Sequence, residues 1–128
     1  MTSTVYEDLK ANCEHAAEWY EKMAAGMRYC SRCCELLDAD HCDECDEDTD
    51  DLYTYLADNV YDVRVTTDIH RETLYGCRLM IAGGGPNIFI DTNREAICGY
   101  WGMDEVVIPL SSRCVDAINS VIEEWIRY

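Results

Sequence analysis

Histidine, phenylalanine and proline are scarce in this chain, at three, one and two residues respectively, and long apolar runs are missing altogether. None of the three histidines, His15, His41 and His70, sits in a nucleophile or acid–base signature, so the chain reads as a non-enzyme. A cysteine nucleophile stays open, because its histidine partner need not be near in sequence. No stretch approaches the length of a membrane span. The opening residues, MTSTVYEDLK, have neither the basic start nor the apolar run of a secretory signal. The expectation is a soluble, cytoplasmic protein that does not engage membranes.

Positive charge is the most telling scarcity. From Cys33 to Val63 there is no Lys or Arg, and the whole chain carries a net charge of -16. Such a surface repels DNA, RNA and anionic lipid, which excludes nucleic acid as a direct partner and leaves cations and the basic surfaces of other proteins.

The segment ELLDADHCDECDEDTDD places ten carboxylates in seventeen residues: Glu35, Asp38, Asp40, Asp43, Glu44, Asp46, Glu47, Asp48, Asp50 and Asp51. These are the candidate partner-binding residues. The alternative is a solvated loop whose charge serves only solubility. Aromatic candidates for anchoring a partner are Tyr53, Tyr55 and Trp101, each of which fits the core equally well.

Nine cysteines accompany this acidity. In a reducing compartment thiols are free, buried or metal-bound. Cys30-Ser-Arg-Cys33 and Cys42-Asp-Glu-Cys45 form two CxxC pairs eight residues apart. Four thiolates suit a structural zinc, with Cys34 and His41 as spare ligands. Against zinc, Cys30 and Cys34 continue the rhythm of an apolar helix, and a buried thiol behaves as a small hydrophobe. A redox CxxC belongs after a strand at a helix start, whereas here a helix leads into it. An EF-hand starting at Asp46 fails, because its sixth position is Asp51 rather than Gly and its twelfth is Ala57 rather than Glu. Gly83-Gly84-Gly85-Pro86-Asn87 lacks phosphate-loop spacing and reads as a turn or bulge.

At 128 residues the chain makes a single domain, 1–128. Tyr6, Leu9, Cys13, Ala16, Tyr20, Met23, Met27, Cys30, Cys34 and Leu37 recur every three or four residues. They predict a helical region over 1–34, with Gly26 as its weak point. An acidic, Cys-containing connection over 35–51 follows, then a short helix capped at Thr49. Period-two alternation predicts a strand near 61–68 with one solvated face, further strands at 73–82, 87–91 and 95–101, and a short edge at 106–108. A last helix begins at Ser111 or Ser112. Short turns between successive strands imply an antiparallel meander of three to five strands, packed against a long N-terminal helix and a C-terminal helix, an α+β domain. The helical stripe would also suit a coiled-coil homodimer, but its small residues favour packing on the protein's own sheet, and a monomer is expected.

The stretch YGCRLMIAGGGPNIFIDTNREAICGYWGMDEVVIPLSS and the helix after it resemble small acidic proteins of phages and prophages, of the anti-CRISPR or antirestriction type. The GGGPNIFIDT core, the GYWG strand and the acidic helix with Trp125 carry this likeness over residues 74–128. The resemblance implies an inhibitor of a bacterial immune nuclease, acting in the host cytoplasm by acidic mimicry on a basic nucleic-acid-binding surface, most simply that of a CRISPR effector. The acidic insertion lies outside the resembling region. A zinc-stabilised acidic protein–protein interaction module with no inhibitory role is the alternative.

Overall fold

A computed structural model describes residues 3–127. The chain runs α1 (Ser3–Ala24), β1 (Arg28–Cys30), β2 (Glu35–Leu37), β3 (His41–Cys42), β4 (Glu47–Asp48), α2 (Leu52–Asn59), β5 (Asp62–Thr67), β6 (Leu74–Ala82), β7 (Asn87–Asp91), β8 (Ala96–Trp101), β9 (Asp104–Pro109) and α3 (Ser112–Ile126). Strands β5 to β9 form one antiparallel meander in chain order, and β1–β2 and β3–β4 are separate hairpins. The fold is α+β, as the alternation of patterns predicts.

Register explains where the core sits. Val63, Leu79, Ile90, Ile97 and Ile108 pair in succession across all five strands, forming one straight row. The three central members are fully buried. Each such side chain contributes about 1.5–3 kcal/mol on burial. Helix α1 lies over β8 and β9, and α3 over β6. The approach of α1 depends on Gly99, where any Cβ would run into Cys13 Sγ and Leu9. α3 buries Cys114, Val115, Ile118, Val121 and Ile122 on one face. At its start Ser111 Oγ accepts from the Cys114 amide, and the Glu21 carboxylate accepts from both the Ser111 amide and its hydroxyl, each at 2.6 Å. One carboxylate thus joins α1 to the first turn of α3.

Four expectations need correction. The helical region does not extend to residue 34, and residues 1 and 2 lie outside the described part. α1 stops at Ala24, where Gly26 takes φ +108°. The Gly26 amide bonds to Met23 O and the Met27 amide to Lys22 O, a Schellman ending that turns the chain out of the helix. The 35–51 connection is likewise not irregular, since it holds β2, β3 and β4. Helix α2 is capped by Asp51 rather than Thr49, its carboxylate accepting from the Thr54 amide at 3.0 Å. Finally, β5 is solvated on both faces, because it lies at the sheet edge. The glycine run is a turn between β6 and β7, with a register irregularity beside it.

Candidate metal centre

Each CxxC occupies the same local frame. A strand ends on the first Cys (Cys30, Cys42), a turn carries the chain to the second (Cys33, Cys45), and the next residue takes a left-handed backbone before the return strand. Those next residues are Cys34 at φ 62° and Asp46 at φ 52°. Neither is glycine, so each costs on the order of 1–2 kcal/mol of backbone strain, and the same strain at equivalent positions of both hairpins points to a shared structural demand.

The two hairpins are stitched together by backbone and one buried polar residue. Tyr29 and Asp50 exchange reciprocal backbone hydrogen bonds of 2.9 and 2.7 Å. Thr49, only 4% exposed, donates its hydroxyl to Ala39 O at 2.6 Å and accepts from Arg28 Nε at 3.0 Å. Arg28 also donates to Thr49 O at 2.8 Å. These bonds explain why Thr49 does not cap α2: its side chain is committed to the hairpins.

The result brings the four predicted cysteines together. The Sγ atoms of Cys30, Cys33, Cys42 and Cys45 all lie within 4.8 Å of one another. A tetrahedral centre with metal–sulfur bonds of about 2.3 Å needs sulfurs roughly 3.8 Å apart, so side-chain rotation of about an ångström closes the site. Cys30 and Cys42 are buried, while Cys33 and Cys45 are partly open to solvent, which leaves a path of entry. Cys34 and His41 lie outside the cluster. His41 is instead held between Asp48 (3.1 Å) and Asp46 (3.2 Å), and its pKa is raised chiefly by the bond to Asp48.

The electrostatics show what the cluster asks for. The Cys33 backbone amide, helped by that of Arg32 and by the Cys33 and Cys42 thiols, brings Cys30 down to about 7. Burial and then the neighbouring thiols push Cys45 up to about 12, and the bond to Cys30 raises Cys33. Cys30 thus ionises the more readily, while Cys33 and Cys45 hold their protons more tightly. Four thiolates this close repel one another, and a divalent cation among them would offset that repulsion. Cys13, Cys77 and Cys114, by contrast, sit in the core, where burial first of all pushes them up to about 11, 11 and 12. Such thiols are inert.

The carboxylates surround this centre. Asp40 faces Arg28 at 3.5 Å and Glu47 faces Arg32 at 3.9 Å, while Asp46 and Asp48 hold His41. Asp50 lies at the hairpin exit and Asp51 on the α2 cap. Glu35, Asp38, Asp43 and Glu44 are exposed and, among the described residues, make no ion pair. Of the aromatic candidates, Tyr53 packs edge-on against Trp125, Trp101 lies at the far end of β8, and Tyr55 joins a ring cluster beside the hairpins. Sequence reasoning missed that cluster. Its signal was diffuse, because Trp19, Tyr29 and Tyr55 come from three separate elements.

Fold and site together define an α+β domain that carries a four-cysteine, acidic double hairpin between its first two helices. Compared with protein-family models, curated proteins and solved structures, the chain matches none. No helix among the described residues is long and apolar enough to cross a membrane.

Proposed function

We propose that this protein is a metal-ordered acidic docking module, in which Cys30, Cys33, Cys42 and Cys45 hold a structural zinc and the hairpins display carboxylates to a basic protein partner. The convergence of four sulfurs within 4.8 Å supports this reading. Zinc is the choice of metal because a closed tetrahedral set of thiolates suits it, and its lack of redox chemistry fits a purely structural role. Four thiolates and one divalent ion leave two net negative charges, so the centre adds to the acidity around it.

An ordered acidic lobe meets a basic surface at lower entropic cost than a loose one. Surfaces dense in Lys and Arg are the ones that bind nucleic-acid phosphates, so a carboxylate array competes for the same groups. The narrower reading follows from the phage-protein resemblance: the partner is a CRISPR effector or another defence nuclease, and the protein, a monomer, inhibits it. The exposed Glu35, Asp38, Asp43 and Glu44, which make no ion pair among the described residues, favour mimicry, since they enter an interface without first breaking such a pair.

The test is a pull-down against purified effector complexes, with and without target DNA, using the native chain and a variant carrying Glu35→Gln, Asp38→Asn, Asp43→Asn and Glu44→Gln. Capture by the native chain alone, competed by target DNA, supports nuclease inhibition. Equal capture of both forms sinks the docking role of the carboxylates. Metal analysis of protein purified without added zinc tests the centre separately: a metal-free, fully folded lobe rules it out.

A further inference from the structure

Beside the double hairpin, residues of α1, β1, α2 and β6, with Cys34 and Tyr61, line an open hollow of about 370 Å³. Its walls are unusual for a protein with one Phe: Trp19, Tyr20, Tyr29, Tyr55, Tyr61 and His15 all contribute rings. Three of these pack as a unit, with ring centroids 4.8 Å apart for Tyr29–Tyr55, 5.9 Å for Trp19–Tyr29 and 6.0 Å for Trp19–Tyr55. The first two pairs meet edge to face, at 68° and 66°, so the rings present their faces in different directions. No Lys or Arg is among the described residues that line the hollow.

We infer that this hollow is a binding site for a cationic side chain, an arginine or a lysine supplied by the basic partner. The face of an aromatic ring is the negative end of its quadrupole and attracts a cation within about 6 Å, most strongly where water is excluded. An apolar ligand would gain from the same rings, but the charge of the whole chain decides against it: at -16, the field draws cations towards this surface. The placement is also specific. Tyr29 stands in β1 directly before the ligand Cys30, and Cys34, which follows the ligand Cys33, lines the same hollow. Ordering of the metal lobe therefore sets one wall of the pocket, and a single basic surface can meet carboxylates and rings together. The occupant's identity rests on the docking reading, in that it assumes a basic partner; the pocket's affinity for a cation does not.

The experiment is a titration of the full, zinc-supplemented chain with tetramethylammonium chloride, following the indole N–H resonance of Trp19 with those of Trp101 and Trp125 as internal controls. Sodium chloride at equal ionic strength and the uncharged tert-butanol are the comparisons. A saturable shift confined to Trp19 and specific to tetramethylammonium is expected. Tyr61 is 75% exposed, so replacing it leaves the fold intact. Tyr61→Phe should bind as the native chain does, and Tyr61→Leu should weaken binding about twofold to fivefold. Capped arginine and capped lysine amides then assign the side chain by which binds more tightly. A Trp19 resonance that does not move, moves equally with sodium or tert-butanol, or ignores Tyr61→Leu overturns the site. The variant neutralised at Glu35, Asp38, Asp43 and Glu44 separates the two readings: it should still bind tetramethylammonium even if the carboxylates prove to have no docking role.

Discussion

With zinc held by the four cysteines as proposed, its removal should loosen the double hairpin and leave the five-stranded sheet in place. Within residues 28–50 only Cys30, Cys42 and Thr49 are buried, and the segment meets the core that joins α1, α3 and the sheet through the half-buried Tyr29 and Leu36. So few buried side chains offset little of the chain entropy of ordering such a segment, so the proposed zinc would supply much of its stability. Linkage gives the size of the effect: with free zinc about a thousandfold above Kd, the lobe gains about 4 kcal/mol relative to its opened form. Amide hydrogen exchange reads this directly. Exchange within residues 28–50 should slow roughly a thousandfold on saturation, since protection scales with the free energy of local opening. Amides of Leu79, Ile90 and Ile97, at the centre of the sheet, should be indifferent to zinc. Cys30→Ser should place the lobe in its metal-free state at any zinc concentration. The reasoning is refuted if the sheet loses protection at the same free zinc as the hairpins, because the lobe would then be part of the main cooperative unit. It is refuted equally if hairpin amides exchange alike with and without metal.

Two further outcomes test the domain itself. Asp51→Ala should cost about 1 kcal/mol at neutral pH in urea denaturation, as the loss of a helix cap does. The Thr54 amide is the main cause holding the Asp51 carboxyl below its usual range, so this stabilisation is full above the unfolded-state pKa of about 3.9. It is lost as pH falls through the lower folded-state value, and the gap between native chain and variant should close in acid. Gly99→Ala should destabilise by about 1–3 kcal/mol, because the added Cβ meets Cys13 Sγ and Leu9. Cys13→Ala in the same chain removes that sulfur, so the double variant should be less destabilised than the sum of the two single changes.

Much of this was legible in the residues, for identifiable reasons. The strand Asn87–Asp91 and the cap at Ser111 follow from local rules: an apolar run bounded by turn residues, and a serine before an amphipathic helix. The four clustered cysteines were legible because CxxC spacing places two sulfurs on one turn wherever that turn lies. The double hairpin was not. Its strands are two or three residues long, too short to show a period of two, and Met27, Cys30 and Cys34 keep a helical rhythm by coincidence while the chain runs through strand and turn. Gly26 held the deciding information, since its positive φ is what ends α1, but a lone glycine in a helical pattern is usually tolerated. The aromatic hollow was invisible for a different reason: three-dimensional convergence of rings leaves no spacing in one dimension.

The reciprocal hydrogen bonds between Tyr29 and Asp50 bring the entry and exit of the double hairpin to adjacent positions on an antiparallel ladder. A segment closed in this way is a cassette. A two-residue Asn-Gly turn joining Tyr29 to Asp50 would satisfy the geometry that the intervening residues now span, and a graft of the lobe onto two neighbouring antiparallel strands would have to carry Arg28, which bonds Thr49, along with the cysteines and carboxylates. The acidic lobe is thus joined to the rest of the fold at one closed pair of strands, with Tyr29 and Leu36 as the side chains that seat it on the core.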